Sequence, residues 1–379
     1  MASLDELTKS AATLSNLHIE RWKGNGGRVI GSYCTYVPVE IIHAAGMLPY
    51  RMRATGSTSS DLGDVYAYRT MCTFCRHSLD QAMRGEFGFL DGLVAFYSCD
   101  HVRRLYDVWK FGKVDFPRSP FYLHFMSIPM KSDEETVEWL TSVLGRFRRS
   151  LEDHFQVTIT DDALRESIRV YNERRTLLGR LYELRKADAP PLSGTEMLGI
   201  MIAGTAMPAE EFNQKLKDLL EELKGREGFS GYRARLLVGG GELEDPDYIK
   251  TIEDLGGLVV TDFLCFGVRD FWIPVEEDGD PLRALAKRYL ERPSCPRMID
   301  YPRRQEFLMN LVKDYKVDGV IMQRMKYCDT WGGEGAIMEW DLKKERMATP
   351  YMVLEREYMM GAVGQMRTRV QAFLETIGR

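Results

Sequence analysis

Two stretches far apart in the chain carry the same pattern. Asp318–Asp329 reads DGVIMQRMKYCD and Asp91–Asp100 reads DGLVAFYSCD. Each opens on an Asp-Gly turn signal, runs through an apolar segment and delivers a cysteine followed by an aspartate: Cys328 and Asp329 in one, Cys99 and Asp100 in the other. Short apolar runs bounded by turn signals read as buried strands of a parallel sheet. In an open α/β sheet the carboxyl ends of strands are where ligands bind. Cys34 follows the run RVIGSY and Cys265 follows LVVT, so these thiols too fall at or just past predicted strand ends. Cys72 and Cys99 stand near predicted helix starts, where free N–H groups and the helix dipole favour thiolate over thiol. Thiolate is the form that a metal or an iron–sulfur cluster requires. From the residues alone two readings stay open. Some of these cysteines are ligands of a metal site shared between two α/β units, or all are small buried hydrophobes, because free cysteine is among the most buried residue types.

Other chemistries have weaker support. Cys72-x-x-Cys75 resembles a redox pair, but no strand leads directly into it, and a structural zinc site would want a second close pair. An iron–sulfur cluster gathers thiolates from distant segments, which suits Cys72, Cys99 and Cys328. No G-x-x-x-x-G-K-[ST] loop is present. The run Gly239–Gly241 after a strand fits either a backbone approach to an anion or a tight turn. Six histidines are scattered without metal-ligand spacing, and His43 reads as a core or interface residue. The twenty methionines read as adaptable core filler. Glu40, near Cys34 at a predicted helix start, is a candidate general acid or base; the same position also suits a carboxylate that only stabilises a helix N-terminus. Asp100 and Asp329 are predicted to cap the element that follows. Arg103 and Arg104 either meet a phosphate or carboxylate or are solvated helix charges.

Composition bounds the class. The 379 residues are 44% hydrophobic and 28% charged, ordinary for a soluble globular protein of two or three domains. A net charge of −5 and the lack of a basic stripe argue against a nucleic-acid partner. The polar start MASLDELTKS lacks a signal-peptide pattern, and no apolar run approaches the ~18 residues of a membrane span. Seven cysteines, an odd number without an export signal, argue for reduced thiols and a cytoplasmic setting.

The elements that must position these residues come in three blocks. Residues 5–24 are predicted as one helix. Strands ending at Tyr33, before Cys99 and at Met126 alternate with helices after Pro38, near 71–83 and from Asp100 to about Lys110. Residues 51–66 read as a loop. From 131 to 228 only helical spacing remains, behind Thr160 and Pro208, broken at Pro190, Pro191 and Gly194. Alternation resumes with strands at 233–238, 258–261, before Cys328 and at 351–354, and helices at 281–291, 303–315 and 364–376. The prediction is an α/β protein of two Rossmann-like parallel-sheet domains, 1–130 and 229–379, with a helical segment, 131–228, between them.

The motifs V-P-x-E-I-I-H-A-A-G-M-L-P (37–49), M-C-T-F-C-R-H-S-L-D (71–80) and D-G-L-V-x(4)-C-D-x-x-R (91–103) together resemble the 2-hydroxyacyl-CoA dehydratase and benzoyl-CoA reductase family. ITDDALRESIRVYNERR (159–175), MPAEEFNQKLKDLL (207–220), DGV-x(7)-CD (318–329) and GQMRTRVQAFLE (364–375) extend the resemblance in collinear order. The middle segment is most similar to the smaller cluster-bearing subunit of benzoyl-CoA reductase. The resemblance implies a [4Fe-4S] cluster held between the α/β units by Cys72, Cys99 and Cys328. It implies a two-subunit enzyme, oxidoreductase or lyase, that acts on acyl-CoA by one-electron reduction to a ketyl radical. The electrons come from a separate ATP-hydrolysing iron–sulfur activator. Cys75, Cys265 and Cys295 are thiols beyond the expected three. In a sister branch of homodimeric proteins such thiols help to hold a double-cubane [8Fe-9S] cluster that reduces small molecules, and that is the second expectation. A third is a non-catalytic subunit that relays electrons to a catalytic paralogue.

Overall fold

The computed structural model describes residues 1–112, 120–344 and 349–377. Among them are two four-stranded, wholly parallel sheets. The first holds β1 (Val29–Tyr33), β2 (Leu48–Arg51), β3 (Gly92–Phe96) and β4 (Tyr122–Met126) in the order β2-β1-β3-β4. The second holds β5 (Ala234–Gly240), β6 (Gly257–Phe263), β7 (Gly319–Met325) and β8 (Tyr351–Arg356) in the order β6-β5-β7-β8. Counted within each unit, both sheets have the order 2-1-3-4, so one topology occurs twice. The inner strands β1, β3 and β5 are buried throughout. That is why they read as near-continuous apolar runs rather than as alternation.

Order 2-1-3-4 reverses direction between the first and third strands. Outside the carboxyl ends of those two strands, connections leave in opposite directions and open a crevice. In the first sheet this crevice lies between the ends of β1 and β3, which lead to Cys34 and Cys99. In the second it lies between the ends of β5 and β7, the latter leading to Cys328.

Four longer helices, Glu134–Phe155, Asp161–Leu184, Gly194–Ala203 and Ala209–Glu222, fill the segment between the sheets. Thr160 caps the second of them by accepting from the Ala163 N–H, as predicted. Packing crosses the boundaries drawn from sequence. Leu4, Leu7 and Ala11 of the N-terminal helix pack into the core of the second sheet, and Ala284, Leu285 and Tyr289 from 281–291 pack into a core of the first.

Three expectations need correction. The first twenty-odd residues form two helices, Ala2–Ala11 and Leu17–Gly24. The break is at Asn16, whose side chain accepts from the His18 and Ile19 N–H groups and donates to Ser10 and Ala206 carbonyls. Residues 48–51 form strand β2, a strand that the predicted alternation lacks. Pro49 is tolerated there because β2 pairs only with β1 and lies at the sheet edge. Gly239 and Gly240 belong to β5 and are neither an anion loop nor a free turn. A Cβ on Gly239 would lie 2.4 Å from Met322 Sδ, and one on Gly240, at φ +133°, 2.1 Å from the Gln323 carbonyl. The glycines let β5 and β7 meet.

Candidate functional site

Cys72, Cys99 and Cys328 each stand immediately before a helix. Thr73–Met83 follows Cys72, Asp100–Phe111 follows Cys99 and Asp329–Lys344 follows Cys328. Sequence reasoning gave the capping role to Asp100 and Asp329. The structure gives Asp100 to the first helical turn and makes Cys99 itself the cap, its sulfur accepting from the Val102 N–H at 3.5 Å. All three cysteines are half-buried and pack at the rim of one apolar core, built on one face of the first sheet and joined there by Met325 of β7. Three positive helix ends are thereby directed at three sulfurs.

The segments are held together by bonds that sequence could not show. The Cys72 N–H donates to His101 Nδ1 at 3.2 Å, so the second residue of one helix fixes the cap of another. The Thr73 hydroxyl donates to Met325 Sδ at 2.9 Å and accepts from the Tyr358 N–H at 3.0 Å. Thr73 therefore ties the Cys72 helix to the strand that leads to Cys328. Tyr327, just before Cys328, has φ +66°, a left-handed conformation uncommon for a bulky residue, and Cys34 has φ +81°. Such backbone persists where surrounding structure enforces it.

The charge on these thiols is uneven. The Cys75 thiol, His101 and the N–H groups of Phe74 and Cys75 lower the Cys72 pKa to about 5, against the cost of burial. Cys75 rises in turn, through that same bond to Cys72 and through burial. Burial pushes Cys99 up to about 12 and raises Cys328, and the neighbouring Cys72 sulfur adds to both. One thiolate suppresses ionisation of the others. A bound cation inverts that logic, because a coordinating thiol is deprotonated outright.

The three sulfurs do not all close to within 4.8 Å of one another; among the described residues the group that does is Glu6, His18 and Glu211. Ligands around one tetrahedral zinc, with bonds of ~2.3 Å to sulfur, are closer than that. The donor set is all sulfur and half-buried, and soft thiolate ligands are those that zinc, copper(I) and iron–sulfur clusters take.

Cys265 lies past β6, and burial pushes its thiol up to about 12 even though Arg269 Nη2 lies 3.1 Å from its sulfur. The Cys295 N–H donates to the Tyr36 hydroxyl at 3.2 Å, and Cys295 is within electrostatic reach of both Cys265 and Cys328. Cys75 is fully buried beside Cys72. Glu40 is wholly buried. It forms an ion pair with Arg175 and accepts from the Tyr289 hydroxyl at 2.8 Å. Burial raises its pKa, but the guanidiniums of Arg175 and Arg288 outweigh that and hold it below the ordinary 4.5. Arg103 and Arg104 are exposed, Arg103 over the Tyr97 ring and Arg104 paired with Asp107. His43 bonds Ser167 and Glu210.

The family model for the 2-hydroxyglutaryl-CoA dehydratase D-component matches residues 34–377. The chain belongs to this family. The match runs from Cys34 through every cysteine of the site and takes in every strand of the two sheets except β1. One of the subunits of benzoyl-CoA reductase from Thauera aromatica is 29% identical, covering 100% of this chain and 99% of that protein. The (R)-2-hydroxyglutaryl-CoA dehydratase subunit beta of Acidaminococcus fermentans is 25% identical over 99% of each. The (R)-phenyllactyl-CoA dehydratase beta subunit of Clostridium sporogenes is 25% identical over 95% of this chain and 94% of its own. These three relatives are subunits of dehydratases and a reductase whose names specify acyl-CoA substrates. No helix among the described residues is long and apolar enough to cross a membrane.

Proposed function

We propose that this chain is the iron–sulfur subunit of an enzyme of the acyl-CoA dehydratase or aroyl-CoA reductase type, with Cys72, Cys99 and Cys328 holding a [4Fe-4S] cluster between the two α/β units. The observation that carries the reading is the convergence of three helix N-termini, each headed by one of these cysteines, at the carboxyl ends of two parallel sheets. The relatives' names supply the substrate class, acyl-CoA thioesters, and the expectation of a partner subunit. A cluster bound by these thiols would supply low-potential single electrons and Lewis-acid iron, the chemistry needed to reduce a thioester carbonyl to a ketyl radical.

The chain's own residues would do the rest. The helix N–H groups and His101 hold the ligands in register. The apolar rim built by Met71, Phe74, Val102 and Met325 keeps water from the sulfurs. The acid–base role expected for Glu40 is replaced in this proposal by a positioning one, because a carboxylate held ionised by Arg175 is a poor proton carrier. The electrons would come from an ATP-hydrolysing activator, in the cytoplasm.

A second reading has its own observation. Cys295 stands within electrostatic reach of Cys328 and Cys265, and Cys75 adjoins Cys72, so a larger [8Fe-9S] cluster would find further thiols at hand. Iron and acid-labile sulfide per chain, on protein purified without oxygen, decide between them. About four of each supports the single cubane; about eight iron atoms with slight excess sulfide supports the double cubane. Absence of iron returns the cysteines to the core. With a cubane in hand, binding of acyl-CoA thioesters tests the substrate class. A cluster without thioester binding assigns the chain to electron relay.

A further inference from the structure

Buried guanidiniums crowd the space around Cys34 and Cys265. A cavity of about 50 Å³ lies there, its wall including Cys34, Arg51, Tyr171, Arg174, Cys265 and Asp270. Arg51 Nη2 donates to both oxygens of Glu242, at 3.2 and 2.9 Å. Its Nε and Nη1 are buried with no hydrogen-bond partner. Burial opposes the charge on Arg51, but Glu242 outweighs it and holds the pKa above the ordinary value. Two donors of a permanent cation therefore stay unmatched in a residue that is 8% exposed. Leaving buried charged donors unsatisfied is costly.

The surroundings add to the imbalance. Arg51, Arg174 and Arg175 pair with Glu242, Asp270 and Glu40. Arg269, Arg288 and Arg292 are also buried and each bonds a residue of the cavity wall, but the bonds go to neutral acceptors. Arg269 donates to Cys265 Sγ and the Gly240 carbonyl, Arg288 to the Asp270 and Ile273 carbonyls, and Arg292 to the carbonyl and hydroxyl of Thr35. Six buried guanidiniums thus line this cavity or bond its wall, against three carboxylates paired with them. Val37 and Phe266 give the same cavity apolar walls. Excess buried positive charge favours an anion, and charge-assisted bonds to free guanidinium donors are the strong kind. By the measure in which one water needs about 10–15 Å³, a space of this size suits a group of a few heavy atoms.

We propose that this cavity is a binding site for a small carboxylate, held by the free Nε–H and Nη1–H donors of Arg51 and seated beside Cys34 and Cys265. The inference does not rest on the Cys72, Cys99 and Cys328 proposal.

The two thiols in the wall provide the probe. Iodoacetate and iodoacetamide alkylate a thiolate by the same displacement of iodide and differ in carboxylate against amide. Alkylation of Cys34 and Cys265 is followed by peptide mass spectrometry on protein purified without oxygen, and again in the Cys328→Ala background. The iodoacetate-to-iodoacetamide rate ratio at these positions is expected to exceed that of the same thiols in denatured protein by about tenfold, one charge-assisted bond's worth. Acetate should slow the reaction and acetamide should not, and Arg51→Gln should abolish the preference. A ratio equal to that in denatured protein overturns the proposal. Should neither thiol react, or the variant fail to fold, the thermal midpoint of wild type decides. Acetate must raise it above chloride of equal ionic strength and above acetamide, and equal midpoints overturn the site. Persistence of the preference in Cys328→Ala separates this site from the cluster.

Discussion

Cys99 and Cys328 hold the same station in two copies of one topology. Each lies three residues past the third strand of its unit, β3 ending at Phe96 and β7 at Met325, and each is followed by an aspartate that opens a helix. The duplicated sheet order therefore delivers two equivalent thiols, each headed by a helix N-terminus. Cys72 has no counterpart in this scheme. It comes from a loop before a helix, and bonds to His101 of one unit and Met325 of the other, made by its own N–H and by Thr73, bring it to the same place.

Equivalent stations predict equivalent losses. Cys99→Ala and Cys328→Ala should each abolish iron binding, whereas Cys34→Ala should keep it, because Cys34 belongs to the wall of the arginine-lined cavity. Iron per chain after anaerobic purification, with circular dichroism to confirm folding, checks this. Full iron content in Cys328→Ala would sink the ligand assignment.

Thr73 tests whether the ligands depend on how they are held. Thr73→Val keeps shape but leaves the Tyr358 N–H without its acceptor and frees Met325 Sδ. An unsatisfied N–H costs up to about 1–3 kcal/mol when buried, and this one is part-buried. The expected variant is less stable by that order and loses iron faster to a chelator, although every cysteine is intact. An unchanged rate of iron loss would show that Thr73 plays no part in holding the site.

Much of this arrangement was legible in the sequence, for identifiable reasons. Strands β1, β3, β5 and β7 show as apolar runs because both their faces are buried. Strand β2 does not, because a four-residue edge strand containing Pro49 lacks both length and pattern. Intrinsic capping preference favours Asp100 and Asp329, and it cannot register a cysteine whose sulfur is aimed by the fold, as at Cys99. The family motifs contain Cys72, Cys99 and Cys328 but not the contacts from Thr73 to Met325 or from Arg269 to Cys265. The first of these joins residues more than two hundred positions apart, and the second depends on a buried cation that no local pattern announces. Nor does any local pattern mark arginines 51, 269, 288 and 292 as buried; tertiary packing alone buries them.

Glu40 distinguishes a positioning carboxylate from a proton carrier. Glu40→Gln leaves Arg175 buried and unpaired, and breaking a buried pair from one side costs about 3–5 kcal/mol. Because the folded pKa of Glu40 lies below the ordinary 4.5, its contribution is present above about pH 4.5 and is lost as pH falls through the folded value. The deficit of the variant, from urea midpoints, should be the same at pH 6 and pH 8 and shrink only in acid. A variant as stable as wild type that has lost only turnover would restore the acid–base role.

Glu244 gives a pH dependence of the opposite sign. Its Oε1 accepts from the Ala54 N–H at 2.6 Å and from the Tyr358 hydroxyl, so one carboxyl bonds the segment after β2 in the first sheet to the segment after β8 in the second. Oε2 is buried without a partner. Burial, aided by neighbouring Glu242 and opposed by Tyr358, the Ala54 N–H and Arg53, raises its pKa from 4.5 to about 7. The folded state therefore holds a proton that the unfolded chain has released. This contribution is complete below about pH 4.5 and is lost as pH rises to about 7. The difference corresponds to roughly 3 kcal/mol. In Glu244→Gln the side chain is neutral at every pH, and the amide oxygen can keep both bonds. The variant should lose that part of the slope between pH 5 and pH 8, so that its stability relative to wild type improves across the interval by the same order. Denaturant midpoints at both pH values test this, and parallel profiles for the two proteins would mean that Glu244 does not carry the proton.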